Sequence, residues 1–112
     1  MVATLENYVV ACQRSDIPAR GKKIVQVGGV SVLIVACEGS LFAVENACPQ
    51  TGRPLAHGAV LKGTITSPHT GAHYELASGR YLGGGQSPLQ SHWLRVFPLQ
   101  TAENRVYIKL HL

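Results

Sequence analysis

The chain has 112 residues, which suits one domain built on a modest core. Apolar residues make up 46% and charged residues only 14%, which excludes a disordered composition. Ten Lys and Arg against six Asp and Glu give a net charge of +4. The basic residues are scattered and aromatics are 6%, so a nucleic-acid interface is not expected and a mild preference for acidic partners is.

Short β-branched runs alternate with Gly, Pro and polar turns, which predicts an all-β domain. Residues 7–12 read as the first strand, and "SDIPARG" (15–21) as a helical turn capped by Asp16. "KKIVQV" (22–27) and "VSVLIVAC" (30–37) flank Gly28-Gly29, a hairpin turn. "SLFAVEN" (40–46) should pair with the strand before it, and these four strands are expected in one sheet. "GTITS" (63–67) and "AHYELAS" (72–78) are short strands, followed by a flexible loop over 78–90. Residues 92–100 and 105–112 form a closing hairpin, in which Pro98 demands an edge or a bulge. The expected architecture is one domain over 1–112: an antiparallel barrel or sandwich with a subdomain inserted at 46–90.

The run from Val30 to Cys37 is too short to cross a bilayer, and no basic-then-apolar leader precedes it. A cytoplasmic protein without membrane contact is expected. Three cysteines argue against a disulfide framework. Cys12 and Cys37, in "YVVACQ" and "LIVACE", read as small buried hydrophobes.

The chemistry gathers in "CPQTGRPLAHGAVLKGTITSPHTG" (48–71). A Cys-Pro turn opens it and a Ser-Pro turn closes it. Asn46-Ala47-Cys48-Pro49, then Gly52, Pro54, Leu55 and Gly58, frame a first arm; Ser67-Pro68 and Gly71, then Ala72, Tyr74, Ser78 and Gly79, frame a second. With Ser87-Pro88-Leu89 and the final hairpin, this layout resembles the Rieske-type ferredoxin family. In that family Cys-x-His on one arm and Cys-x-x-His on the other hold a [2Fe–2S] cluster, the cysteines on one iron and the histidines on its neighbour. The resemblance implies the Rieske fold and a ferredoxin-like part in an oxidoreductase system.

Carried over position by position, the ligand set becomes Cys48, Gln50, Ser67 and Thr70. Cluster irons need thiolate or imidazole donors, and an amide and two hydroxyls are neither. The expectation is therefore that no cofactor is held and that Gln50 and Ser67 fill the pocket with hydrogen bonds. Another metal site would have to draw on Cys48, His69 and His73. His57, His92 and His111 read as ordinary hydrogen-bonding histidines. No elbow of the G-x-S-x-G kind and no phosphate loop occurs, so no catalytic residue is expected, and Cys48 reads as an inert buried thiol.

The functional expectation is a cluster-free accessory subunit or interaction module of a redox enzyme. By the resemblance, its precedent is the small subunit of assimilatory nitrite reductase. The partner is expected to be a reductase or oxygenase, met by Gln50, Arg53, Pro68, His69 and Pro88. The alternative is a ferredoxin-type electron carrier to such an enzyme, its metal held by non-standard ligands.

Overall fold

The computed structural model describes residues 7–85 and 92–110. Their strands are β1 (Val9–Gln13), β2 (Lys22–Val27), β3 (Val30–Cys37), β4 (Ser40–Glu45), β5 (Val60–Leu61), β6 (Thr64–Thr66), β7 (His73–Glu75), β8 (Tyr81–Gly83), β9 (Val96–Phe97), β10 (Leu99–Ala102) and β11 (Arg105–Ile108). The fold is all-β, as expected, in three antiparallel sheets ordered β1-β11-β10, β2-β3-β4-β9 and β5-β6-β7-β8.

Strand β3 organises the molecule. It is apolar almost throughout, and residues 32–37 are all buried. Successive side chains point to opposite faces, so a strand without polar alternation must be covered on both. Leu33, Val35 and Cys37 join one core with Val44, Cys48, Leu55, Ile65, Ala72, Tyr74, Leu76 and Leu94. Val32, Ile34 and Ala36 join a second core with Ile17, Val25, Phe97, Val106 and Ile108. The first core joins the central sheet to the β5–β8 sheet and its loops, and the second joins it to the β1-β11-β10 sheet. Each fully buried Leu or Ile contributes roughly 2 kcal/mol of burial free energy, so this strand is the main anchor of the fold.

The turn at Gly28 and Gly29 is the predicted hairpin, with φ of 56° and 81°. Glu103 and Asn104 close the last hairpin with φ of 52° and 64°, the twist that lets two-residue loops join antiparallel strands.

Five expectations are corrected. Strand β1 does not join β2–β4; it pairs with β11, from Val9↔Ile108 to Gln13↔Arg105. Local periodicity marks a strand but carries no information about a partner far along the chain. The predicted strand over 92–100 divides at Pro98, which has no N–H for a ladder: β9 pairs with β4 and β10 with β11. The helical turn is a 3-10 turn at Arg14–Asp16, and Asp16 closes it from its far end by accepting the Gln13 N–H at 3.1 Å. Part of the expected flexible loop is strand β8, paired with β7. Cys37 is buried as expected, whereas Cys12 is half-buried on β1.

Candidate functional site

The two arms leave the cores and meet at one tip. In the first arm, the Cys48 N–H donates to the Arg53 carbonyl at 2.7 Å, and the Gly52 N–H returns to the Cys48 carbonyl at 2.7 Å. The Asn46 side chain accepts the Leu55 N–H at 2.8 Å and fastens the base of the loop. In the second arm, the Ser67 N–H donates to Ala72 at 2.8 Å and the Gly71 N–H to Ser67 at 3.0 Å. The Thr70 hydroxyl accepts the Ala72 N–H at 3.1 Å. Glycine is required at Gly58: a Cβ there would lie 2.2 Å from the Thr66 carbonyl oxygen.

These turns place the four expected positions together, mostly out of solvent. Cys48 and Ser67 are each 1% exposed, while Gln50 and Thr70 are half-buried. Cys48 Sγ and Thr70 Oγ1 are 3.9 Å apart across the arms. Burial pushes the Cys48 thiol up. Ser67, the Thr51 hydroxyl and the N–H groups of Gln50 and Thr51 favour the thiolate, and the net result lies below the ordinary value of 9.0. Burial, then the neighbouring Cys48 charge, pushes the Tyr74 phenol up.

The expectation that hydrogen bonds fill this pocket is corrected. Gln50 Nε2, Ser67 Oγ and Tyr74 OH are buried and make no hydrogen bond of ordinary geometry. Ser67 Oγ lies near enough to favour a thiolate at Cys48 without completing such a bond. A buried polar group without a partner is costly, and three such atoms on the two arms and β7 mark an interior that its own side chains do not satisfy.

The remaining residues fall on two sides. Arg53, Pro68 and His69 are exposed at the tip. Arg53 Nη1 lies 3.5 Å from His69 Nδ1 and links the arms. Gln50, expected beside them, turns its amide inward, and a Cβ on Gly85 would lie 2.7 Å from its Oε1. Pro88 lies outside the described residues, as does His111. His73 is exposed on β7 and hydrogen-bonds Thr66 Oγ1 at 2.8 Å. Cys48, His69 and His73 are thus engaged separately, and among the described residues no group of three His, Cys, Asp or Glu is disposed to hold a metal ion.

Sequence reasoning missed the Tyr74 hydroxyl beside Cys48 and the role of Lys22, whose Nζ donates to the Gly58 carbonyl. The first was readable: Ala72, Tyr74 and Leu76 are buried in alternation with exposed His73 and Glu75, which aims Tyr74 inward. Among the described residues no helix is long and apolar enough to cross a membrane.

Comparison with known proteins agrees with this geometry. The family model described as the Rieske-like [2Fe-2S] domain matches residues 7–109. Apoptosis-inducing factor 3 of Homo sapiens is 29% identical over 68 residues, covering 61% of this chain and 11% of that protein. The terminal oxygenase of carbazole 1,9a-dioxygenase from Nocardioides aromaticivorans IC177 superposes with a TM-score of 0.83 at 23% identity, covering 94% of this chain and 30% of that one. The ferredoxin of carbazole 1,9a-dioxygenase from the same organism superposes with a TM-score of 0.78 at 14% identity, covering 92% of this chain and 97% of that one. The chain therefore spans about a tenth of the curated relative and about a third of the oxygenase.

The expectation that the chain holds no cofactor is corrected by the family match, because that family is a [2Fe–2S] domain and its ferredoxins share this fold. The relationship points to a cluster, and the unsatisfied Gln50, Ser67 and Tyr74 atoms show that the interior is not sealed by its own hydrogen bonds. The donor set does not fit the family's complement: it offers one thiolate, one amide and two hydroxyls. With the arms in place and the match running from residue 7 to 109, the chain belongs to the Rieske-like [2Fe-2S] domain family.

Proposed function

We propose that this protein is a ferredoxin-type component of a redox-enzyme system and that it docks to an oxidoreductase through the tip formed by Arg53, Pro68 and His69. The observation that carries this reading is the asymmetry of the clasp that the two arms form over residues 48–71. Its interior is packed into the core, whereas the turns that converge outside present exposed side chains from both arms, joined by the Arg53–His69 contact. A surface assembled from two loops on a rigid base suits recognition of a protein partner. The solved neighbours support the partner class, for they include a complex of reduced oxygenase and oxidized ferredoxin in carbazole 1,9a-dioxygenase. In this reading catalysis belongs to the partner enzyme, and this chain serves it as a component.

A second reading makes the chain an electron carrier to an oxygenase or reductase, with metal held by unusual ligands. The lowered Cys48 thiol and the unsatisfied Gln50 and Ser67 atoms favour it. Iron and acid-labile sulfide content of the purified chain tests this carrier reading.

Co-purification from expressing cells tests the docking reading. The native chain should retain an oxidoreductase that Arg53→Glu and His69→Ala variants release. Equal retention by all three would count against this surface.

A further inference from the structure

Resting on that docking reading, we infer that the partner's receiving surface is acidic and that Arg53 is the anchor for one of its carboxylates. From residue 46 to residue 74 the chain contains no Asp or Glu, while Arg53 and Lys62 carry positive charge. Residues 83–91 carry no charge of either sign. The carboxylates of the described residues lie outside residues 46–74: Asp16 in the 3-10 turn, Glu38 and Glu103 in hairpin turns, Glu45 and Glu75 at strand ends. The clasp thus contributes no carboxylate of its own to neutralise the tip.

Arg53 is also pre-positioned. Its carbonyl accepts the Cys48 N–H, its N–H donates to Thr51 Oγ1 at 3.2 Å, and its guanidinium rests against His69. Pro54 follows it, and Pro68 precedes His69 on the opposite arm; proline restricts the backbone at each. The backbone is held by these bonds and the guanidinium by His69 alone, so the side chain has surrendered part of its entropy before binding and keeps further N–H donors in fork geometry for a carboxylate. Two lysines close to the first arm differ. Lys22 is half-buried and donates to Gly58, and Lys62 stands exposed in the β5–β6 turn. Charge alone would recruit Lys62 as well; pre-positioning singles out Arg53.

The test uses the full chain, labelled for amide NMR and titrated with poly-L-glutamate at low and at physiological ionic strength. Shifts should concentrate at residues 50–53, Ser67 and residues 69–71 and diminish with salt. Arg53→Glu should weaken binding about tenfold, and Lys62→Glu by less than about twofold. Shifts centred on Lys22, Lys23 or Lys62, or equal losses in the two variants, would overturn the inference. No oxidoreductase is present in this titration, so its failure leaves the docking reading standing. Loss of the oxidoreductase from the co-purification experiment reports on that reading separately.

Discussion

Lys22 and Gly58 tie the central sheet to the clasp: the Lys22 ammonium on β2 donates to the Gly58 carbonyl at the base of the first arm. The register explains the reach. Lys22 opposes Val35, whose side chain faces the core that contains the clasp. Burial lowers the Lys22 pKa from 10.5. The folded state therefore binds fewer protons than the unfolded state between the lowered value and 10.5, and stability contributed by this group rises with pH across that window. We expect the stability of the native chain relative to a Lys22→Met variant to rise from neutral pH toward 10.5, as read by denaturant unfolding. A flat or falling difference would show that burial does not govern this lysine.

Gly79 is the tightest backbone passage. Its φ is 80°, and a Cβ there would sit 1.8 Å from the Leu94 carbonyl oxygen, which belongs to the chain entering β9. Gly39 has a φ of 82° and no neighbour within 4 Å of its Cβ direction. Gly39→Ala should cost about 1 kcal/mol, the price of the left-handed conformation. Gly79→Ala should exceed about 2 kcal/mol, because the chain must also move. Urea unfolding of the two variants checks the order.

Much of the fold was legible in the sequence because local patterns wrote it. β3 is an apolar run that only a doubly covered strand explains, and Gly28-Gly29 has the left-handed conformations its hairpin needs. The pairing of β1 with β11 was not legible, since Val9 and Ile108 meet through a contact that no local period encodes. Pro98 announced a break but not that its two sides serve different sheets. At the site, the frame of turns fixed the positions of Cys48, Gln50, Ser67 and Thr70. It could not show that Gln50 turns inward or that Ser67 Oγ goes without a partner, because both depend on side-chain packing across the arms.

The donor positions make a direct prediction. A chain carrying Gln50→His, Ser67→Cys and Thr70→His together presents two thiolates and two imidazoles on arms already framed by Cys48-Pro49 and Gly71. Reconstituted under identical conditions, this variant should carry more iron and sulfide per chain than the native protein. An unchanged iron content would show that the arms, and not the donors, limit metal binding.

The claim that the tip is the docking surface is tested most directly by a photo-crosslinking residue placed at exposed Thr51 on the first arm, with a second chain carrying it at exposed Thr101 on β10 as the control. The Thr51 probe should join the chain covalently to an oxidoreductase polypeptide, and the Thr101 probe should not. Capture of that enzyme from Thr101 and not from Thr51 would contradict that claim.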